Sequence, residues 1–276
     1  MRVCALGEGV LLNNGVKIPW LGFGVWRIPG GEDTVSAVRT ALETGYRSID
    51  TASMYGNEEG VGQALRQSGI PRAEVFITTK VWNSQQGYAE TLRAFGESLE
   101  RLGVDYVDLY LIHWPVQGRY HDTWRALEEV YRQGRARAIG VSNFQPHHLE
   151  DLMAQASVVP AVNQVELHPL LSQWPVRAFC ARHGIQVEAW RPVMGGRLDL
   201  PVLGEISARH GRTPGQVALR WAFQHRIVTI PKSVHPERIR ENADIFDFEL
   251  TPSDMAAIDG LNAGRRFGAD PDNFNF

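Results

Sequence analysis

The sequence predicts an α/β protein folded as a (β/α)8 TIM barrel, and two repeated features carry that prediction. Short apolar runs recur along the chain and stop at polar residues, while the segments between them have helical spacing. Strand starts therefore recur about every 25 to 30 residues, roughly the length of one β-α-β step. A closed parallel sheet of this kind builds its active site from residues at the carboxyl ends of the strands. The runs stop at Asp50, Lys80, His113, Ser142 and Asn143, Asn163 and Gln164, Trp190 and Arg191, and Lys232.

A β-hairpin is predicted ahead of the repeating part, over residues 11–18. Asn14 and Gly15 stand between two apolar runs, and an Asn-Gly pair supplies the positive φ angles of a tight hairpin turn. The first barrel strand is predicted next, over residues 21–24. The tail, residues 264–276, mixes turn residues with phenylalanines, so we expect an irregular segment whose aromatic rings pack over the active-site face.

Helix boundaries follow from capping residues and glycines. Predicted helix starts lie at Asp33, Asp122, Pro146, Ser172, Pro214 and Pro236. Predicted helix ends lie at Gly45, Gly103, Gly134 and Gly184. The spacing stretches after Trp190, and the surplus predicts an extra short helix near residues 203–209. No linker or low-complexity segment interrupts the pattern, so residues 1–276 are expected to form a single barrel domain.

Composition excludes several classes of protein. A net charge of −3 and a pI near 6.3 argue against a nucleic acid partner. No run approaches the roughly 18 apolar residues of a membrane span, and the amino terminus does not read as a signal peptide. Cys4 and Cys180 lack metal-binding or redox spacing, so both are expected to be free thiols. We therefore expect a cytoplasmic protein, with nothing that calls for more than a monomer.

The commoner nucleotide and nucleophile motifs are incomplete. Gly22 and Gly24 begin a G-x-G, but Arg27 stands where the dinucleotide fingerprint needs its third glycine. The segment after Gly140 misses the nucleophile elbow because Phe144 occupies the second glycine position. A doubly wound dinucleotide-binding domain and a serine hydrolase are both disfavoured.

Metal and glycosidase sites are also disfavoured. His147 and His148 are adjacent on a helix, so they are expected to point in different directions, and no metal is predicted. A glycosidase barrel needs two carboxylates at strand ends. Glu188 and Asp108 lie inside their predicted strands, which weakens that interpretation.

Four residues remain as a candidate reaction centre: Asp50, Tyr55, Lys80 and His113. Three of them end consecutive strands, and Tyr55 follows Asp50 closely enough to lie on the loop above the barrel. An ammonium group beside a phenol favours the phenolate, so Lys80 is expected to lower the pKa of Tyr55. Asp50 would compensate the burial of Lys80, and His113 would donate a hydrogen bond to a carbonyl oxygen. Such a set protonates an oxyanion but supplies no hydride, so a cofactor is required.

Four segments of the chain resemble the signatures of the aldo-keto reductase superfamily. They are residues 48–58, 106–115, 139–144 and 230–233. The resemblance runs from the hairpin to the tail, and it is nearest to bacterial 2,5-diketo-gluconate reductases and glyoxal or methylglyoxal reductases. It implies an NADPH-dependent carbonyl reductase with Tyr55 as the general acid, tuned by Lys80 and Asp50, while His113 orients the carbonyl.

The same resemblance implies a nicotinamide cofactor site at the later strands. Ser142, Asn143 and Gln164 would hold the carboxamide, and Trp190 would stack on the ring. The residues implied to bind the adenosine end are Lys232, Ser233, Arg238 and Asn242.

Three of those residues support the anion site independently of the resemblance. Two cations and a hydroxyl, from Lys232, Arg238 and Ser233, lie close to the start of the helix opened by Pro236, and a helix start with charged donors binds anions. A 2′-phosphate distinguishes NADP from NAD, so NADPH is favoured. One departure from the family is Arg191, where a serine is common; it would either contact the pyrophosphate or swing away.

The expected substrate is a small carbonyl compound. Trp26, Trp82 and Trp114 follow the first, third and fourth barrel strands, and their rings would wall a pocket above a polar floor. The loop after Trp114 is short, which favours an open site. The competing hypothesis is a cofactor-binding regulatory or sensor protein on the same barrel, because the resemblance also extends to channel-associated subunits with this fold.

Overall fold

The computed structural model describes residues 5–274, and within them eight parallel strands form a barrel preceded by a hairpin. The strands are β1 Gly9–Leu11, β2 Lys17–Pro19, β3 Phe23–Gly24, β4 Ser48–Asp50, β5 Phe76–Val81, β6 Val107–Ile112, β7 Ala136–Ser142, β8 Val162–Glu166, β9 Gln186–Trp190 and β10 Val228–Ile230. The helices are α1 Glu32–Thr44, α2 Glu58–Ser68, α3 Tyr88–Leu102, α4 Tyr120–Arg132, α5 Pro146–Met153, α6 Trp174–Arg182, α7 Pro201–His210, α8 Pro214–Gln224, α9 Pro236–Ala243 and α10 Pro252–Asp259.

The predicted barrel is confirmed. Strands β3 to β10 pair in chain order, each parallel to the next. Closure occurs between the first and last of them, where the amide of Gly22 donates to the carbonyl of Thr229 at 2.8 Å. The amide of Gly24 also donates to the carbonyl of Pro231, at 3.1 Å. The first barrel strand is shorter than predicted, because Leu21 forms only an isolated bridge with Thr229.

The inward face of the barrel changes from apolar to polar along the strands. At the amino-terminal end its side chains form one apolar cluster with the hairpin, and a side chain buried there contributes about 1.5 to 3 kcal/mol. Because strand side chains alternate, Phe76 on β5 is followed on the same face by Thr78 and then Lys80, and Leu111 on β6 is followed by His113. On β8, Val162 is followed by Gln164. The carboxyl end of the barrel therefore concentrates the polar groups.

The predicted hairpin is confirmed, but its turn differs from the prediction. Val10 pairs with Ile18, so the connection runs over residues 12–16 and is longer than a two-residue turn. Gly15 has the left-handed φ of 84°, whereas Asn14 uses its side chain to accept from the amide of Val16 at 3.2 Å. The hairpin side chains Leu12 and Ile18 join the apolar cluster and cover the amino-terminal end of the barrel.

Three predicted helix starts were wrong by one or two residues. Helix α1 begins before Asp33 and α4 begins before Asp122, so both aspartates lie in the first turn and act on the helix dipole instead of capping. Helix α6 begins two residues after Ser172, with Gln173 as its N-cap. The three starts at proline are confirmed at α5, α8 and α9.

The predicted helix ends and the predicted extra helix are confirmed. Gly45 and Gly103 are left-handed C-caps, while Gly134 and Gly184 lie one residue beyond the cap with left-handed φ angles. The extra helix is α7, slightly longer than predicted. None of the helices in the described chain combines the length and the apolar character needed to cross a bilayer.

The described part of the tail is irregular and its aromatic rings pack onto the barrel. Phe267 lies 5.2 Å from the ring of His168, and Phe274 stacks on Trp114 with ring centroids 4.3 Å apart. The amides of Phe267 and Gly268 both donate to Glu166 at 2.9 Å, so the tail is fastened to the end of β8. The expectations for Phe276 and Cys4 lie outside the described residues, and Cys180 is buried and free.

Two helical glycines are expected to respond in opposite ways to a methyl group. A Cβ on Gly62 of α2 would lie 2.1 Å from the carbonyl oxygen of Leu102, whereas a Cβ on Gly96 of α3 would meet no atom within 4 Å. Gly62→Ala should lower stability by about 1 to 3 kcal/mol through overpacking. Gly96→Ala should raise it by about 0.5 to 1 kcal/mol. Thermal unfolding followed by circular dichroism checks both, and equal effects of the two substitutions would contradict the packing of α2 on α3.

Candidate active site

A buried ion pair organises the carboxyl end of the barrel. The Lys80 ammonium group has no exposed surface, and its Nζ lies 2.7 Å from Oδ1 of Asp50. Lys80 also donates to the carbonyl of Thr51 at 2.9 Å and approaches the Tyr55 hydroxyl at 3.5 Å. Asp50 ends β4 as predicted, whereas Lys80 lies one residue inside the end of β5. The predicted grouping of these three side chains is present in the structure.

The loop that carries Tyr55 is fixed by the buried side chain of Asn57. The Asn57 amide donates to the carbonyls of Val25 and Ile28 at 3.0 and 3.1 Å, and it accepts from the Thr51 hydroxyl at 2.8 Å. Tyr55 itself ends a short 3-10 turn that follows β4. These bonds fix the path of the chain from β4 to α2, which includes Tyr55.

The direction expected for the pKa of Tyr55 was wrong. Burial raises the pKa of the phenol above its ordinary value, and the lowering by Lys80 does not overcome burial and the nearby Asp50 charge. For Lys80, burial alone would lower the pKa, but Asp50 and Tyr55 raise it above its ordinary value. Lys80 is therefore charged and Tyr55 carries its proton across the physiological range.

His113 is a neutral imidazole beside this group. It directly follows β6, and its ring makes edge contacts with Tyr55 at 5.6 Å and with Trp82 at 5.0 Å between centroids. Burial, and then the charge of Lys80, hold the pKa of His113 well below its usual range. A neutral ring keeps one N–H with which it can donate to a carbonyl oxygen.

The residues predicted to hold a carboxamide are neighbours in the structure: Ser142 ends β7, Asn143 follows it directly, and Gln164 lies on the adjacent strand β8. Trp190, predicted to stack on the ring, ends β9. The Ser142 hydroxyl donates to the main-chain carbonyl of Gln164 at 2.8 Å, and Trp190 Nε1 donates to Oδ1 of Asn143 at 2.9 Å. Asn143 donates to the carbonyl of His113 at 3.0 Å and has a left-handed φ of 66°. The predicted stop at Gln164 was wrong, because β8 continues to Glu166 and Gln164 points into the barrel from mid-strand.

Glu188 is a site residue that the sequence interpretation missed. Gln164 Nε2 donates to Oδ2 of Asp50 at 2.8 Å and to Oε2 of Glu188 at 2.7 Å, which links the two carboxylates. Burial, followed by the charge of Asp50, raises the pKa of Glu188 to about 8. The available signal was strand alternation, since Glu188 lies two residues before Trp190 on β9 and shares its inward face.

The predicted adenosine-end residues lie between β10 and α9 or on α9. Lys232 and Arg238 are exposed, Asn242 is half-buried, and Ser233 is buried with its hydroxyl accepting from the amide of His235 at 3.1 Å. Helix α9 begins at Pro236 without a side-chain cap, so its first-turn amides remain available to an anion. This donor set fits a phosphate-bearing group.

Arg27 lies close enough to Arg191 and Lys232 to act on the charge of both, and these three residues are called the rim cations below. Partial desolvation of its otherwise exposed side chain, and then Arg27, lower the pKa of Lys232. For Arg191, burial is the largest cause of a lowered pKa; Glu166 opposes it, and Arg27 and Arg197 lower the pKa further. The guanidinium group of Arg191 lies 5.4 Å from the ring of Trp26 and 5.8 Å from the ring of Trp190. Cations that disfavour one another's charge are stabilised by a bound anion, which suits a pyrophosphate.

The three tryptophans of the predicted pocket have different neighbours. Trp82 contacts His113, and Trp114 is buried beneath the stacked ring of Phe274. Trp26 is 36% exposed and lies beside the guanidinium group of Arg27, at 4.3 Å from its centroid. Trp82 and Trp114 thus flank the candidate reaction centre and the tail, while Trp26 borders the cationic rim.

Two histidines do not diverge as predicted. Nε2 of His147 and Nε2 of His148 lie 3.1 and 3.6 Å from the same Oδ1 of Asp272 in the tail. Nδ1 of His148 accepts from the amide of Gln145 at 3.2 Å in the capping box of α5, so the proton of the neutral ring is on Nε2. A protonated Nε2 suits a hydrogen bond to the carboxylate and not ligation of a metal.

Asp108 plays no part at the carboxyl end of the barrel. It accepts from the amide of Ile77 at 2.9 Å and pairs with Arg72 and Arg137 at 2.7 and 2.8 Å. Its position inside β6 agrees with the prediction. It braces neighbouring strands at the opposite end from His113.

His113 is expected to remain neutral when ordinary histidines gain a proton. Its lowered pKa means that acidification from about pH 8 to about pH 5.5 should leave its ring resonances unshifted. Nitrogen and carbon NMR of the imidazoles measures this, with His113→Gln used to assign the signals. An inflection of the His113 signals within that range would contradict the buried, lysine-facing environment.

Comparison with known proteins identifies the family. Residues 20–263 match the model described as Aldo/keto reductase family. The chain is 55% identical over 273 residues to the glyoxal reductase of Bacillus subtilis (strain 168), with 99% of each chain covered. It is 50% identical over 276 residues to the morphine 6-dehydrogenase of Pseudomonas putida, with 94% of this chain and 93% of that one covered. A solved structure of a Gox0644 mutant in complex with NADPH superposes with a TM-score of 0.92 at 46% identity, covering 97% of this chain and 98% of that chain. The chain therefore belongs to the aldo/keto reductase family.

Proposed function

We propose that this protein reduces small aldehydes and ketones to alcohols with NADPH, using Tyr55 as the proton donor. The observation that carries the proposal is the grouping of the protonated Tyr55 with the Asp50–Lys80 ion pair and the neutral His113 at one end of the barrel. Each of these residues has a role that the geometry supports. The similarity to a glyoxal reductase supports the same class of reaction.

The protein side chains supply the proton and the orientation. His113 donates a hydrogen bond to the carbonyl oxygen and so places it beside the Tyr55 hydroxyl. Tyr55 transfers its proton to that oxygen as negative charge develops on it, and Lys80 stabilises the phenolate that remains. Asp50 holds Lys80 charged and in place. The bound nicotinamide supplies the hydride that the carbonyl carbon receives.

The residues of the later strands fit the cofactor. Ser142, Asn143 and Gln164 would hold the carboxamide, and the half-buried Trp190 indole offers a face to the ring. Both hydrogens on Nε2 of Gln164 are already donated to the carboxyl groups of Asp50 and Glu188, so the side-chain oxygen Oε1 is the atom available to a carboxamide N–H. The rim cations would hold the phosphates, with Ser233 and Asn242 beside them. The NADPH complex of the similar structure supports this assignment.

Small or hydrophilic carbonyl compounds are the proposed substrates, such as methylglyoxal, glyoxal, keto-sugar acids and aromatic aldehydes. Helix α4 begins at Tyr120, so only a short loop follows Trp114 and leaves the pocket open on that side. Trp82 and Trp114 would form the apolar walls, and Trp26 would border the cofactor side. A cytoplasmic monomer is proposed as the working form.

A cofactor-binding sensor on the same barrel is the second candidate. A sensor needs the cofactor site but has little use for a buried lysine, aspartate, tyrosine and histidine arranged as a proton relay. Loss of NADPH absorbance with methylglyoxal and with an aromatic aldehyde separates the two functions. Tight NADPH binding without turnover of any carbonyl compound would overturn the enzyme proposal.

Replacing Tyr55 by phenylalanine is expected to remove the proton donor and little else. Tyr55→Phe should lower kcat for carbonyl reduction by roughly 10²- to 10⁴-fold, the range ascribed to a positioned general acid. The NADPH dissociation constant, measured by fluorescence titration, should change less than about twofold, since the hydroxyl serves the substrate. Tyr88→Phe, at an exposed tyrosine of α3, is the matched control. Full activity of Tyr55→Phe would remove the phenol from the mechanism.

Selectivity for NADPH over NADH is expected to depend on Lys232 and Arg238. Each charge-assisted contact to a 2′-phosphate contributes about 1.5 to 3 kcal/mol. Lys232→Ala and Arg238→Ala should therefore each weaken NADPH binding roughly tenfold or more, while NADH binding changes less than about twofold. Arg240→Ala, at an exposed arginine of the same helix, should leave both affinities unchanged. Equal losses for the two nucleotides would show that the pair does not recognise the phosphate.

A further inference from the structure

Two buried carboxylates share one amide in the centre of the barrel, and the proposed relay uses only one of them. Asp50 pairs with Lys80, whereas Glu188 is linked to Asp50 only through the amide of Gln164. Glu188 is 1% exposed, and its Oε1 is buried with no hydrogen-bond partner among the described residues. A side chain placed there without forming an ion pair of its own needs a separate explanation.

Charge balance indicates the protonation state of Glu188. Lys80 is the cation that faces this group, and it is already 2.7 Å from Asp50. A second carboxylate charge behind the same amide would be repelled by the first and would leave a charged Oε1 without a donor. Consistent with this, burial and then Asp50 raise the pKa of Glu188 to about 8, with Gln164 and Lys80 acting in the opposite direction. Glu188 is therefore mainly the neutral acid at pH 7.

The link through Gln164 gives Glu188 an orienting role. Because Glu188 and Asp50 both accept from Nε2, an inverted amide would give up both hydrogen bonds and place its oxygen against the charged carboxylate of Asp50. With Nε2 held by the two carboxyl groups, Oε1 is the side-chain atom of Gln164 left for a ligand, and the proposed function places the nicotinamide carboxamide there. The nicotinamide ring is neutral in NADPH and positively charged in NADP⁺. A carboxyl group close to the nicotinamide ring can respond to this difference in ring charge by losing its proton when the ring is positively charged.

We propose that Glu188 is a positioning residue that fixes the Gln164 amide and releases its proton to solvent when the oxidised, positively charged nicotinamide ring is bound. This inference rests on the proposed function, because it assumes that the carboxamide lies against Gln164. No bond other than the Glu188 O–H changes: the proton leaves to water, and the carboxylate that remains offsets the charge of the ring. The neutral ring of NADPH leaves Glu188 protonated.

Nucleotide binding as a function of pH tests the inference without turnover. In the wild-type protein the ratio of NADP⁺ affinity to NADPH affinity should rise roughly three- to tenfold between about pH 6.5 and pH 9.5. The shared 2′-phosphate, which titrates near pH 6, cancels from the ratio. Calorimetry in buffers of different ionisation enthalpy should show proton release on binding NADP⁺ at about pH 7.5 in excess of that on binding NADPH. Tyr55→Phe should retain this release, since the raised pKa of Tyr55 keeps its proton on at that pH.

Glu188→Gln is the diagnostic variant. Its amide oxygen can still accept from Gln164, but it has no proton to release, so the affinity ratio should become independent of pH and the excess proton release should vanish. Glu128→Gln is the matched control, because Glu128 is a buried glutamate of α4 that accepts from the amides of Ser157 and Val158 at 2.7 and 2.9 Å. It should behave as the wild type.

The outcomes distinguish this inference from the proposed function. A ratio that does not change with pH in the wild type, or the same slope in Glu188→Gln, would overturn the inference while carbonyl turnover remained intact. Absence of binding of either nucleotide by the wild type would overturn the proposed function, and the inference with it. If Glu188→Gln does not fold, infrared spectroscopy of the wild type decides instead. The carbonyl band of a buried carboxylic acid should be present at about pH 6.5 and lost by about pH 9.5, and its absence at the lower pH would overturn the inference.

Discussion

The ammonium group of Lys80 has no contact with solvent, and the polar end of the barrel is arranged around the need to neutralise it. Asp50 supplies the charge, the carbonyl of Thr51 supplies a second acceptor, and the Tyr55 hydroxyl lies at the edge of hydrogen-bonding distance. Removing one partner of a buried pair costs about 3 to 5 kcal/mol, because the other charge is left uncompensated. The same pair fixes the electrostatic surroundings of Tyr55, His113 and Glu188. Each of these three remains mostly uncharged near neutral pH, which leaves the ion pair as the dominant charge in the proton relay.

Most of the architecture could be predicted from the sequence because barrel strands end at their functional residues. Asp50, Ser142 and Trp190 do end their strands, and His113 follows its strand directly. Which groups inside a strand meet in the centre could be predicted only in part, because alternation selects the inward face but the register of all eight strands decides which side chains on that face lie side by side. Glu188 was set aside for lying within a strand, yet period-two alternation turns it inward beside Gln164.

Directions of pKa change were the weakest part of the sequence-based interpretation. The presence of Lys80 near Tyr55 was predicted, but burial outweighs the lysine charge and the pKa of the phenol rises. Burial is a property of the closed barrel and has no local signature in the sequence. The convergence of His147 and His148 on Asp272 is a similar case, since it depends on how the tail returns across the barrel. Local spacing predicts elements well and predicts long-range neighbours poorly.

The attachment of the tail has a consequence for synthesis of the chain. Gly268 packs so closely on Trp190 that a Cβ there would lie 2.3 Å from the indole, and its amide is held by Glu166. A nascent chain has produced all eight barrel strands before Gly268 leaves the ribosome. The indole of Trp190 therefore gains its contact with Gly268 only after all barrel strands have been made. A chain truncated before residue 267 would contain every barrel strand but would lack this contact at the end of β9.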